Sequence, residues 1–325
     1  MKLCDVICNT PIHPITPLHD TGNEIYLKRD DLQPFSFGGN KVRIAQKIIM
    51  DMLEEKCDVL ITYGNKLSNL CRVTTNLCCS LGIECYMISV YDDDHGCARA
   101  FNGTMAELFG AKIVECAKAD VDKVLKELQD KLAAEGKKSY FVNDPHAITA
   151  ECMAYKETYS EIYDYQVQTG LHFDYIFSAC GAGTTTGGLL IGKMLHPDYG
   201  KAGTPNPTIV GISTARAQER GVMKLNEHIT NYFARYENRK PDPEIVKKEL
   251  NFTADYLCGG YGLADDEIRN NCVEMMRKNG IELDPTYTGK AYTGTEKYLK
   301  ENNITGKKIL FIHTGGSPLY FDMIR

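Results

Sequence analysis

Between residues 59 and 142, short apolar runs alternate with amphipathic stretches, and that alternation leaves few folds open. Residues 59–63, 84–90, 113–114 and 140–142 have the length and the β-branched or aromatic content of strands. Residues 68–81, about 98–109 and 120–135 carry apolar residues at helical spacing, and Gly110 and Gly136 stand where C-terminal caps belong. The pattern continues outside this region. A strand is expected over 24–28 and a helix after Lys41, on Val42, Ala45, Ile48, Ile49 and Leu53. A long Tyr-rich helix follows at about 148–168, then a strand at 175–179 and a helix at 186–195. Further on come a turn and strand at 205–213, helices at 216–237 and 265–279, and a last strand at 309–312. Pro241-Asp242-Pro243 reads as a break. Such a series predicts an α/β chain of mostly parallel sheets covered by helices, with right-handed crossovers. With no low-complexity linker and no internal repeat, any division into domains is spatial.

With 325 residues, 43% of them apolar, the chain has ample material for a buried core. A net charge of −6 gives no general drive toward nucleic acid or an anionic membrane. No apolar run reaches the roughly 18 residues of a membrane span, and Met1-Lys2-Leu3-Cys4-Asp5 lacks a signal-peptide core, so a cytoplasmic location is expected. Thirteen cysteines are many, but a disulfide scaffold is not expected in a long cytosolic chain. Cys78 and Cys79 are adjacent and no Cys-x-x-Cys occurs, so no metal is expected either. Most cysteines read as small buried apolar residues.

Three stretches carry chemistry. In Ser36-Phe37-Gly38-Gly39-Asn40-Lys41-Val42-Arg43, two glycines meet a lysine at a loop-to-helix corner. A partly desolvated ammonium there can serve as a nucleophile or imine partner. In Ser178-Ala179-Cys180-Gly181-Ala182-Gly183-Thr184-Thr185-Thr186-Gly187-Gly188, small residues follow a strand and open a helix. Free N–H groups and hydroxyls at such a helix start suit a phosphate. No Gly-Lys-Ser/Thr ends this loop, and its third glycine comes one residue late for a dinucleotide fingerprint. In Thr62-Tyr63-Gly64-Asn65-Lys66-Leu67-Ser68-Asn69-Leu70-Cys71-Arg72, Ser68 could cap a helix whose free N–H groups hold a carboxylate, and Lys66 and Arg72 add positive charge or face solvent. Glycine-rich loops at 259–262, 284–290 and 313–316 supply Tyr261, Tyr287, Thr288 and His313. A lysine amine, a phosphate loop and a carboxylate loop together describe a pyridoxal phosphate site for an amino acid.

On Lys28-Arg29-Asp30-Asp31, Phe37-Gly38-Gly39-Asn40-Lys41-Val42-Arg43, Ser68-Asn69, the 181–188 loop, Gly260-Tyr261-Gly262, Asp284-Pro285-Thr286-Tyr287-Thr288-Gly289-Lys290 and His313-Thr314-Gly315-Gly316, the sequence resembles a known family. It is that of D-cysteine desulfhydrase and 1-aminocyclopropane-1-carboxylate deaminase, within the tryptophan-synthase-β-like, fold type II pyridoxal phosphate enzymes. The resemblance runs over nearly the whole chain. It implies two domains, each an open twisted mostly parallel sheet with flanking helices: residues 1–43 plus 148–325 as the larger, cofactor-binding one, and 44–147 as the smaller. It implies a homodimer acting on a small amino acid, with no nucleic acid, membrane or metal.

By the same resemblance Lys41 would form the imine with the cofactor and later move protons. Asn69 would face the cofactor's phenolic oxygen, and Ser68 the substrate carboxylate. Gly181, Ala182, Gly183, Thr184 and Thr185 would cradle the phosphate. Tyr261 and Tyr287 would lie by the reacting amino acid, and Thr288 would meet the pyridine nitrogen. The chain departs from the family at Asn65, Lys66, Leu67 and Leu70, which stand where Gly, Ile, Gln and His are usual. Polar groups beside the substrate are thereby lost, and Lys66 becomes available to an acidic substituent. The deaminases carry Glu where Thr288 stands. A hydroxyl holds a protonated pyridine less well than a carboxylate does, so Thr288 favours α,β-elimination, with D-cysteine giving pyruvate, sulfide and ammonia. Cysteate, β-chloroalanine and L-cysteine are alternative substrates, followed by a deaminase or a catalytically silent binder.

Overall fold

The structure, a computed structural model, describes residues 2–91 and 100–325. In chain order its elements are β1 (Ile12–Ile15), β2 (Glu24–Arg29), α1 (Asn40–Glu54), β3 (Val59–Gly64), α2 (Asn69–Leu81), β4 (Glu84–Tyr91) and α3 (Phe101–Leu108). Next come β5 (Lys112–Ala117), α4 (Val121–Ala134), β6 (Ser139–Phe141), α5 (Pro145–Thr169), β7 (Tyr175–Cys180), α6 (Thr184–Leu195) and β8 (Thr208–Ser213). The chain closes with α7 (Gln218–Tyr236), α8 (Pro243–Glu249), β9 (Asn251–Thr253), α9 (Asp266–Asn279), α10 (Thr288–Glu301), β10 (Lys308–His313) and α11 (Ser317–Ile324).

The strands form two open sheets. The larger has the order β1-β2-β10-β7-β8-β9 and the smaller β5-β4-β3-β6. Every pairing is parallel except β1 with β2, which is antiparallel. Helices cover central strands such as β7 and β10, so these are buried along almost their whole length and read as continuous apolar runs. The smaller sheet is drawn from residues 59–141, and the larger from 12–29 and 175–313. Helix α1 sits where the two meet. Its Val42, Ile44, Ile48 and Met52 belong to one core with Leu60 and Leu77 of the smaller layer and Ile176, Leu190 and Leu310 of the larger. Positions 43 and 147 fall inside α1 and α5, the two helices that lead the chain between the sheets.

Most long elements lie where their periodicity puts them. Helix α5 starts at Pro145, three residues before the expected start, because proline suits the first helical turn, where its missing N–H is not needed. Pro241-Asp242-Pro243, expected as a break, launches a helix: Asp242 accepts the Glu244 N–H at 2.9 Å and Pro243 opens α8, while α7 already ends at Tyr236. The short elements β1, β9, α8 and α11 show no readable period. Residues 98 and 99 of the expected third helix lie outside the described residues, and α3 covers Phe101–Leu108. Cys57, Cys71, Cys78, Cys85, Cys116, Cys152, Cys180 and Cys272 are buried and unbridged. No helix among the described residues is long and apolar enough to cross a membrane.

Candidate active site

Of the loops expected to carry chemistry, the 259–262 loop comes after β9 and the 284–290 loop after α9, while the other four follow the carboxyl ends of β2, β3, β7 and β10. That edge of an α/β sheet is where ligands bind. The lysine corner is framed by buried charge. Asp30 accepts hydrogen bonds from Thr10 Oγ1 at 2.6 Å, Arg43 Nη2 at 3.2 Å and the Tyr155 hydroxyl. Arg43 also donates to both Glu161 oxygens, at 2.5 and 2.9 Å, and Lys28 pairs with Glu161 at 3.0 Å. Lys28-Arg29-Asp30-Asp31 is therefore a buried ionic frame for the corner.

Gly39 has φ 97° and ψ 165°, a conformation that is almost confined to glycine. A Cβ there would lie 2.8 Å from the Thr314 carbonyl oxygen, which also accepts the Asn40 N–H at 3.1 Å. The corner is thus locked against the loop after β10. Asn40 Nδ2 donates to Thr185 Oγ1 at 2.9 Å, tying the start of α1 to the start of α6. Lys41, the second residue of α1, is partly buried. Burial pulls its pKa down, while Glu151 and Cys71 pull it the other way.

Gly181, Ala182 and Gly183 join β7 to α6, which opens at Thr184 and Thr185. The first N–H groups of a helix lack intrahelical partners. Arg216 and the ring of His228 hold the Gly181 and Ala182 carbonyls, the latter at 2.9 Å, and so fix these two peptide groups. Thr214 Oγ1 lies beside Gly181, buried without a hydrogen-bond partner. Thr184 Oγ1, buried without a partner in hydrogen-bonding geometry, faces Glu151. Free N–H groups and an orphaned hydroxyl beside a desolvated lysine fit a phosphate-bearing aldehyde.

Ser68 caps α2 by accepting the Cys71 N–H at 3.2 Å. Gly64 permits this turn, since a Cβ there would come within 2.9 Å of the Ser68 Cβ. Asn69 accepts at Oδ1 from Asn102 Nδ2 at 2.9 Å and from Arg72 Nη2 at 3.4 Å. Its carbonyl is occupied, which leaves the amide N–H groups as donors. Arg72 does not face solvent: it is 1% exposed and donates to the Ser36 carbonyl, joining α2 to the lysine corner. Lys66 is engaged by Glu115 at 2.9 Å. Leu67 packs with Ala100, Leu319 and Tyr287, and Leu70 against the shared core, so both replacements have an apolar environment.

Tyr287 leans on the glycine loop, its ring 3.6 Å from where a Cβ of Gly181 would stand. Its hydroxyl lies 2.6 Å from that of Tyr261. Burial, then Tyr261, raises the Tyr287 pKa, so the phenol stays protonated. Thr288 is fully buried; its hydroxyl donates to Asp284 Oδ2 at 2.8 Å and accepts the Asp284 N–H at 2.8 Å. Asp284 also takes the N–H groups of Thr286, Tyr287 and Thr288 at 2.9, 2.7 and 3.1 Å. The sequence does not show the role of Asp284, which sets the start of α10, nor does it single out Asn102, which orients Asn69. Nor does it single out Glu151, whose only sequence signal is a carboxylate among the small and apolar residues 147–154.

Comparison with known proteins agrees with this geometry. The family described as pyridoxal-phosphate dependent enzyme matches residues 3–315. A D-cysteine desulfhydrase of Salmonella schwarzengrund is 30% identical over 324 residues, 96% of this chain and 93% of the relative. A putative 1-aminocyclopropane-1-carboxylate deaminase of Pyrococcus abyssi is 31% identical over 319 residues, 96% of this chain and 90% of its own. A crystal structure of an ACC deaminase homologue superposes with a TM-score of 0.80 at 28% identity, covering 98% of this chain and 94% of that one. The buried lysine corner, the glycine loop and these relatives agree: the chain belongs to the pyridoxal-phosphate dependent enzymes, in the group of the D-cysteine desulfhydrases and ACC deaminases.

Proposed function

We propose that the chain is a lyase that eliminates the β-substituent of a small amino acid, with D-cysteine giving pyruvate, sulfide and ammonia. The observation that carries the choice of elimination is Thr288. A neutral hydroxyl bound to Asp284 stands where the resemblance puts the ring nitrogen's partner. Pyridoxal phosphate, when bound, supplies an imine-forming carbonyl and a ring that draws electrons from Cα.

The chain's own residues would do the rest. Lys41 would hold the cofactor through its amine; once the substrate amine displaces it, that freed amine, which burial keeps closer to neutral, would take the proton from Cα. The Gly181–Thr185 loop would hold the phosphate, with Gly183, Thr184 and Thr185 at the helix start. Ser68 and the free N–H groups of α2 would bind the substrate carboxylate. Asn69 would donate its amide N–H toward the cofactor's phenolic oxygen. The Tyr261–Tyr287 pair would give the departing sulfur a proton. Water then completes the conversion to the 2-oxo acid and ammonia. The engagement of Lys66 by Glu115 weighs against an acidic substituent held by Lys66. By family expectation the enzyme is a homodimer, which light scattering of the purified protein tests, and cytoplasmic, which cell fractionation tests.

The deciding experiment is turnover of D-cysteine, L-cysteine, cysteate, β-chloroalanine and 1-aminocyclopropane-1-carboxylate, following sulfide, 2-oxo acid and ammonia. Sulfide and pyruvate from D-cysteine support the reading. Ring opening of the cyclopropane substrate, or a coloured protein inert toward the whole panel, sinks it.

A further inference from the structure

Glu151 lies on α5, 3% exposed, in a segment of otherwise small and apolar residues. Helices α5 and α6 pack almost backbone to backbone: a Cβ on Gly188 would lie 2.5 Å from the Cys152 carbonyl oxygen. One turn before Gly188 is Thr184, the first residue of α6, whose hydroxyl faces Glu151. From the other side, the Asn40–Thr185 bond brings the first turn of α1, with Lys41, against the same helix end. The fold therefore brings a buried carboxyl and a lysine amine together at the N-terminus of α6.

The groups acting on this carboxyl come from four elements. Lys41 is on α1, Thr184 on α6, Cys152 beside Glu151 on α5, and Tyr140 on β6, where Asp51 holds the Tyr140 hydroxyl at 2.5 Å. Arg216 and His228 reach the glycine loop, but there they bind the Gly181 and Ala182 carbonyls. Lys41 is the one cation acting on Glu151 among the described residues. Burial pushes the Glu151 carboxyl up to about 7, against the pull of Lys41 and Thr184.

The start of α6 is also where the proposed function seats the cofactor phosphate, and this inference rests on that assignment. A phosphate carries about −1.5 to −2 charges at neutral pH. A buried carboxylate at the same helix end repels it, and imine formation at Lys41 removes the cation that offsets the carboxylate. We propose that Glu151 must be neutral for the phosphate to seat at Gly181–Thr185, so that loading the cofactor takes up a proton at Glu151. Without cofactor the charge of the Lys41 ammonium offsets that of the carboxylate. With cofactor the protonated carboxyl donates its hydrogen to a phosphate oxygen or to Thr184 Oγ1.

The test uses 4-deoxypyridoxine 5′-phosphate, which keeps the ring and phosphate but has no aldehyde, so imine chemistry does not enter. Its binding to the full chain and to Glu151→Gln is measured by calorimetry, in buffers of different ionisation heat, from pH 6 to 8. At pH 7.5 the wild type should take up about 0.8 proton more than the variant. The ratio of wild-type to variant Kd should rise from near 1 at pH 6 to about 10 at pH 8. Equal proton uptake and a constant ratio would overturn the inference while leaving the phosphate site intact. Binding to neither protein would remove the phosphate assignment, and this inference with it. Should Glu151→Gln fail to fold, wild-type affinity alone decides: it should fall about fivefold between pH 7 and 8, and a flat or rising affinity overturns the proposal.

Discussion

Replacing Gly39 with alanine should damage the lysine corner far more than its one added methyl group suggests. The backbone there, at φ 97° and ψ 165°, costs a non-glycine residue about 1–3 kcal/mol. The new Cβ would stand 2.8 Å from the Thr314 carbonyl oxygen. That atom is backbone and cannot swing aside without losing the Asn40 N–H bond at 3.1 Å, worth about 1 kcal/mol. The combined loss is about 2–4 kcal/mol, a large share of the roughly 5–15 kcal/mol of a typical domain. Gly110→Ala is the control, because Gly110 has φ 78° with no atom within 4 Å of its would-be Cβ and so carries the backbone cost alone, about 1 kcal/mol. Urea unfolding of the two variants, with unchanged m-values, gives the difference, and the cofactor absorption band reports whether Lys41 is still in place. If Gly39→Ala loses no more stability than Gly110→Ala and keeps the band, the corner is not locked against Thr314 as described.

Arg43→Ala should cost about 3–5 kcal/mol by chemical denaturation, because it strips a buried cation from Asp30 and Glu161. Tyr287→Phe should change stability by only about 1 kcal/mol but lower kcat for elimination by about 10²- to 10⁴-fold; unaltered kcat would remove the tyrosine pair from the chemistry. Stability of the cofactor-free protein should also depend on Glu151. Its folded-state pKa, about 7, stands above its ordinary 4.5, so its stabilising contribution is complete below about pH 4.5 and is lost as pH rises through 7. The wild type should therefore lose up to about 3 kcal/mol relative to Glu151→Gln between pH 4.5 and 8 in urea melts, and parallel profiles would contradict the burial described for this carboxyl.

The sheet and its site loops were legible because parallel strands buried on both faces are continuous apolar runs, as 59–63 and 309–312 are. The lysine corner was legible too, since paired glycines before a helical period mark a forced backbone conformation. What the chain did not reveal depends on which side chains the fold turns toward one another. Glu151 sits in a helix buried on several sides, so no polar face separates a carboxyl in the site from one in solvent. Arg72 looked as free as Lys66 in sequence, yet one is enclosed by Ser36 and Asn69 and the other paired with Glu115 on a strand edge. Thr288 was singled out for its hydroxyl, but nothing local shows that Asp284, four residues earlier, takes that hydrogen.

The central claim is that Lys41 carries the cofactor, and borohydride reduction followed by peptide mapping addresses it most directly. Reduction of the protein loaded with pyridoxal phosphate should fix a phosphopyridoxyl group on the peptide containing Lys41, and Lys41→Ala should lose both the adduct and the visible absorption. A stable adduct on another lysine, or the same absorption in Lys41→Ala, would show that the glycine corner and the α6 loop do not form the cofactor site.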